Sequence, residues 1–332
     1  MSMIKRNLTA YATSLNILSA SIEARKQFQR ARLNSSVLNR MIPVARSNGV
    51  IIHCPEDGRY AFFNSPYLAH RLMTGIDIYP NSSFGEITSS PVKGEIIQVR
   101  RVKSPKNRFF DDPGYDVVTI IRSTDNPERT VKILHVDSSV DVGETVHPGQ
   151  NLGTLIRSGY FGFHTPPHAH VEIRPHFDPL RVRGGCYIEA LQKFNDLNPI
   201  KELKGIVVET RNEYARIQID DLICSGIPTD VGGITGILDG GIPLYGWFGA
   251  HIEKSNYSPV IKLLGKHIGN IVINNRKICV AECTDFKIKL GRTTVDLFFY
   301  LTPLSNPFVV VTTKKPNNLN LEELSEVALT VE

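Results

Sequence analysis

The sequence predicts a mainly β protein. It is divided into an N-terminal helical segment over residues 1–49, a central β-sandwich or barrel over 50–199, and a smaller β-rich domain with a polar tail over 200–332. Three observations carry this. Short alternating apolar runs recur after residue 50, glycine, proline, asparagine and aspartate cut them at short intervals, and no long helical periodicity interrupts them.

The first segment differs in texture. Leu15, Ile17, Leu18, Ile22 and Phe28 recur at roughly helical spacing, and Gly49 ends the pattern. Polar residues such as Thr9, Ser14 and Asn16 break its apolar run, and SIEARKQFQRARL follows directly. The segment therefore reads as an amphipathic helix rather than a targeting peptide. The central strands are GEIIQVRRV, DVVTIIRS, TVKILHV, NLGTLIRSG and HAHVEIR. CYIEALQKFNDL predicts a short helix after them. The C-terminal strands include KGIVVET, YARIQIDD, KICVAE, TVDLFFYLT and PFVVVTT, around a glycine-rich stretch that reads as barrel turns. KKPNNLNLEELSEVALTVE reads as a tail or surface helix.

Composition excludes several classes. The chain has 332 residues, 41% hydrophobic and 21% charged, an ordinary globular balance long enough for two domains. A net charge of +5 is mild and demands no polyanion, so no nucleic-acid partner is expected. The basic run Arg100–Arg108 reads as a solvated hairpin loop. No stretch reaches the roughly 20 apolar residues of a membrane span. Five scattered cysteines, Cys54, Cys186, Cys224, Cys279 and Cys283, read as free thiols and predict a reducing, cytoplasmic setting.

Histidines mark the chemistry. His168 and His170 sit at i and i+2 in HAHVEIRP, so a strand presents both on one face together with Glu172, with Val171 and Ile173 on the other. His70, Asp77, His135, His164, His176 and Asp178 lie in the surrounding block, His70 to Leu180, which holds no cysteine, and the chain has no HExxH helix. Histidine and carboxylate in this proportion suit a catalytic zinc, with three protein ligands and a water. Asp77 stands in an apolar strand, where an unpartnered carboxylate would be costly, and this supports a ligand role. His147 reads as a turn residue, and His53, His251 and His267 as structural.

Four pieces in order carry a family resemblance: Gly75-Ile76-Asp77, Leu134-His135-Val136, the glycine-turn stretch from Val140 to Gln150, and His168-Ala169-His170-Val171-Glu172-Ile173-Arg174 followed by Asp178-Pro179-Leu180. This block resembles the lysostaphin-type zinc metallopeptidases, the glycyl-glycine endopeptidases, over about a third of the chain. The resemblance implies a compact antiparallel β fold, the duplicated hybrid motif, over residues 50–199. It implies one Zn2+ per chain, with Asp77 and His170 as ligands and His135 and His168 as catalytic histidines.

The chain departs at the first motif. The family's first histidine lies four residues before the aspartate, where this chain has Met73, a poor ligand for such a site. His70 is the expected substitute, provided that RLMT turns or bulges, because an offset of seven on a straight strand faces the wrong way. The implied activity is hydrolysis of a peptide amide bond by metal-activated water, on a peptide or peptide-crosslinked substrate. The alternative is a catalytically inactive binding or scaffold module that keeps the fold. A cytoplasmic location weighs against a cell-wall substrate.

Overall fold

The computed structural model describes residues 40–332, except 195–196, 220–221, 223, 254–256, 276 and 305. The architecture is almost entirely antiparallel β. The predicted helix over 1–39 lies outside the described residues. Its last part is corrected: Met41–Ser47 is a strand, paired with Val50–Pro55. The reason is Asn48-Gly49, both at positive φ (48° and 86°), which form a two-residue hairpin turn rather than a helix stop.

The central strands form a seven-stranded antiparallel sheet. Its order is Thr145–Val146, Gly94–Lys103, Tyr115–Ser123, Arg129–Leu134, Ala169–Pro175, Gly75–Tyr79, Arg59–Ala61. One face carries the apolar core, with Ile76, Ile78, Ile133, Val171 and Ile173 fully or almost fully buried. The opposite face carries Asp77, His170 and Glu172, as the two-residue period requires. The basic run Arg100–Arg108 is only partly the predicted hairpin loop: Arg100 to Lys103 belong to the strand and pair with Tyr115 to Val118, and residues 104–108 lie in the loop.

Two further expectations are corrected. CYIEALQKFNDL forms no helix among its described residues. Glu189–Ala190 instead pairs with Ala45–Arg46, and Ile188 is buried. The polar tail ends in the strand Glu326–Val331, inserted between Leu203–Thr210 and Ile288–Leu290. In both places tertiary pairing overrides local helix preference.

Residues beyond 200 build a twelve-stranded antiparallel sheet around a second core. In its glycine-rich stretch, Gly232-Gly233, both at positive φ, turn Ile227–Val231 back onto Ile234–Ile242. The two regions are joined closely. Tyr60 and Leu301 exchange backbone hydrogen bonds of 2.8 and 2.9 Å. Ile237, Trp247 and Val280 pack into the central core. All five cysteines are free. No helix among the described residues is long and apolar enough to cross a membrane.

The hairpin turn gives a direct test. Gly49→Ala places a Cβ on a left-handed residue and is expected to lower stability by about 1–2 kcal/mol, read from denaturant unfolding.

Candidate metal centre

The site is built on one register. In the sheet Asp77 lies directly opposite His170, and His170 lies opposite Leu134 on its other side. His135 follows Leu134 immediately, so three functional positions meet at the same level of the sheet. Beside them Glu172 faces Gly75 on one strand and Lys132 on the other. Gly75 has no tolerance for a side chain: a Cβ there would come 2.7 Å from His170 Cε1.

His70 arrives from outside the sheet. It sits in the one α-helix among the described residues, the single turn Leu68–Arg71. Met73, at φ 57°, then reverses the chain into Gly75–Tyr79. This is the turn that an offset of seven requires. Met73 itself is buried in the hydrophobic core, away from any ligand role.

Three atoms converge. His70 Nε2 lies 3.4 Å from Asp77 Oδ1 and 3.1 Å from His170 Nδ1, and His170 Nδ1 lies 2.8 Å from Asp77 Oδ1. Tetrahedral ligands with bonds of about 2.0–2.1 Å stand about 3.3 Å apart, so these separations suit a small divalent cation. His70, Asp77 and His170 form a buried group that could hold a metal ion.

Each outer atom of this trio is held. His70 Nδ1 is 2.7 Å from the Phe62 carbonyl oxygen, which only accepts, so Nδ1 carries the proton and Nε2 presents a lone pair. The Phe62 amide in turn donates to Asp239 Oδ2 at 2.8 Å, and His251 Nε2 lies 2.9 Å from the same oxygen. The C-terminal region thus supports His70 from behind. Asp77 Oδ2 accepts from the Tyr79 hydroxyl at 3.2 Å. His170 Nε2 faces Glu172 Oε1 at 3.2 Å. Carboxylates in this position fix the ring and strengthen it as a ligand. Glu172 also pairs with Lys132 at 2.7 Å and with the fully buried Arg174 at 3.0 Å. Arg174 reaches Asp178 at 3.4 Å, which gives the Asp178-Pro179-Leu180 stretch a place in the network.

The electrostatics follow from this packing. Burial opposes ionisation of Asp77, but the surrounding imidazoles, His70 first, hold its carboxyl far below the usual carboxylate range. Burial opposes charge on Glu172 as well, and the His170 hydrogen bond and Lys132 bring it down to about 2. Burial also disfavours protonated His170, yet hydrogen bonds to Asp77 and Glu172 outweigh it and raise its pKa to about 9. His70 is lowered, chiefly by burial, and His168 is pushed down to about 4 by the same cause.

His168 and His135 complete the cluster. His168 Nδ1 is 2.9 Å from the Pro166 carbonyl oxygen, leaving Nε2 free, 3.7 Å from Asp77 Oδ2. His135 Nδ1 is 2.6 Å from Asp116 Oδ2, and its backbone amide donates to Asp116 Oδ1 at 3.0 Å. The Ser158 hydroxyl donates to the same carboxylate at 2.6 Å. Burial opposes ionised Asp116, while His135 and Ser158 hold its pKa down at about 2. His135 has φ 70°, a left-handed residue that these bonds hold in place. Its ring centroid is 5.1 Å from that of His168 and 6.2 Å from that of His170.

The cluster opens into a cleft of about 610 Å³, whose walls include Tyr67, Tyr160, Leu180, Val182 and Tyr245. His164 lines this cleft, with Nε2 3.4 Å from the Tyr245 hydroxyl. His176 does not; it pairs with Glu128 near the surface. His147 is exposed, and His53 and His267 contact backbone carbonyls away from the cleft. Sequence reasoning missed Asp116, Ser158 and Lys132, and it gave Glu172 no role. Asp116 carries the same signal as Asp77, a carboxylate in an apolar strand. Ser158 carries none.

The support of His170 is testable. Glu172→Gln keeps the shape but removes the charge that anchors His170, and is expected to weaken metal affinity about 10–100-fold by titration against a chromogenic chelator.

The profile of a family described as "Domain of unknown function (DUF8155) N-terminal domain" matches residues 52–190. No curated protein matches the chain. Among solved structures the "NMR solution structure of lysostaphin" is similar at 13% identity, covering 69% of this chain and 95% of that one, with a TM-score of 0.27.

Proposed function

We propose that this chain is a zinc-dependent hydrolase that cleaves a peptide amide bond, with one metal held by His70, Asp77 and His170. The observation that carries the reading is the convergence of His70 Nε2, Asp77 Oδ1 and His170 Nδ1 within 2.8–3.4 Å of one another, each side chain anchored at its far atom. The resemblance of the surrounding motifs to lysostaphin-type peptidases supports it. A divalent metal in that position supplies a polarised water of lowered pKa and a Lewis acid for the scissile carbonyl.

The chain's own residues then handle protons and charge. His168 and His135 both keep Nε2 free beside the trio, because a carbonyl oxygen and a carboxylate occupy their Nδ1 atoms. Either ring accepts a proton at Nε2 and, once charged, donates to an oxyanion or to the departing amine. Asp116 holds His135 Nδ1 and so fixes the ring's tautomer and orientation, and Ser158 holds Asp116 in turn. The cleft admits an extended peptide to the open side of the trio.

Elemental analysis of the purified chain is the first test. About one zinc per chain is expected in the wild type, with strong loss in His70→Ala and Asp77→Ala. A wild type that takes up no metal even with zinc supplied overturns the hydrolase reading and leaves a binding or scaffold module. A second test separates metal holding from chemistry. Asp116→Asn and His135→Ala are expected to keep the zinc and to cut a mixed-peptide library about 10²–10⁴-fold more slowly, read by mass spectrometry.

A further inference from the structure

A second pocket, of about 330 Å³, lies across the Phe163–Pro167 loop from the metal cleft. Four arginines line it, Arg59, Arg157, Arg211 and Arg216, against two carboxylates, Glu209 and Glu213, a balance of +2. We propose that this pocket binds an oxyanion carrying about two negative charges, either a phosphate group or a pair of carboxylates. The proposal stands apart from the metal reading.

Arg59 lies at the inner wall of the pocket. It is only 9% exposed, and among the described residues it forms no ion pair. Its guanidinium lies among three aromatic rings, 5.1 Å from Tyr79, 4.9 Å from Tyr300 and 5.3 Å from Phe308. Aromatic faces offset part of a buried cation's cost, and the side chain of Tyr300 adds a hydrogen bond to Arg59, but neither supplies a counter-charge. Its Nε is buried without a hydrogen-bond partner, and so is Nε of Arg157.

The neighbours add to the excess charge. Among the described residues Arg216 forms an ion pair only with Glu209, 3.6 Å away and shared with Arg211. Burial first, and then the positive charge of Arg59, depress the Arg216 pKa, so the two guanidinium groups repel each other. Arg157 meets Glu213 only at 3.4 Å and stacks on Phe110 at 4.0 Å. Asn81 and Ser82 add polar groups to the wall. Like charges gathered in a recess with too few carboxylates destabilise the fold unless an anion joins them. Planar guanidinium forks suit oxyanions through paired, charge-assisted hydrogen bonds. A phosphate monoester carries about −1.5 to −2 at neutral pH, which matches the balance.

Binding is tested on the full chain by thermal unfolding with inorganic phosphate and, separately, succinate, each against sodium chloride at equal ionic strength. A ligand of the folded state raises the midpoint saturably. Saturable stabilisation by phosphate is expected; stabilisation by succinate instead assigns the pocket to carboxylates. Arg59→Gln and Arg216→Gln are expected to weaken binding about tenfold or more, through loss of a charge-assisted bond. Arg101→Gln, an exposed residue paired with Asp137, serves as the control and binds like the wild type. Should Arg59→Gln fail to fold, Arg157→Gln, whose side chain is 30% exposed, reads the same pocket with less risk to the fold. Neither anion stabilising beyond chloride, or pocket variants binding as tightly as the wild type, overturns the proposal.

Discussion

The register between Gly75–Tyr79 and Ala169–Pro175 is the constraint on which the site depends. It sets Asp77 opposite His170 and Gly75 opposite Glu172. A slip of Gly75–Tyr79 by one residue against Ala169–Pro175 would carry Asp77 to the apolar face, away from His170, and bring Ile76 and Ile78 to the cleft. The core beneath holds that register, because Ile76, Ile78, Val171 and Ile173 are buried on the opposite face. Hydrophobic burial and ligand geometry are therefore two readings of one alternating pattern.

Around that pair the chain spends polar contacts to fix imidazoles. Every histidine of the cluster has one nitrogen held by an acceptor: the Phe62 carbonyl for His70, the Pro166 carbonyl for His168, Asp116 for His135 and Glu172 for His170. Buried acceptors of this kind choose the tautomer and stop the ring from turning. The cost appears in two left-handed residues without the freedom of glycine, Met73 and His135, one on each side of the site. The region after residue 200 takes part as well. Asp239 holds the Phe62 backbone that holds His70, so the second β region is continuous with the support of the site.

Much of this was legible because strand periodicity is local. HAHVEIR alone places His168, His170 and Glu172 on one face, and the structure keeps that arrangement. Asp77 was legible as a carboxylate that an apolar strand would not otherwise hold, and the same signal at Asp116 went unused. Among the described residues, the helical readings of 41–49, 186–194 and the tail failed for a shared reason. Those segments are short, and their conformation is decided by the strands beside them. Asn48-Gly49 did carry its own turn signal, which a helix-stop reading of Gly49 hid.

The sequence by itself determined the β class, the faces of the central strands and the residue types that make up the candidate metal site. These depend on alternation and on the cost of burying charge, which are properties of a few neighbouring residues. Only the tertiary structure decided that His70 rather than position 73 approaches Asp77, since that rests on a helical turn and a left-handed Met73 packed into the core. It alone paired His135 with Asp116, and it alone gathered Arg59, Arg157, Arg211 and Arg216 around one recess. These contacts join residues far apart in the chain, and no local period encodes which strand will lie beside which.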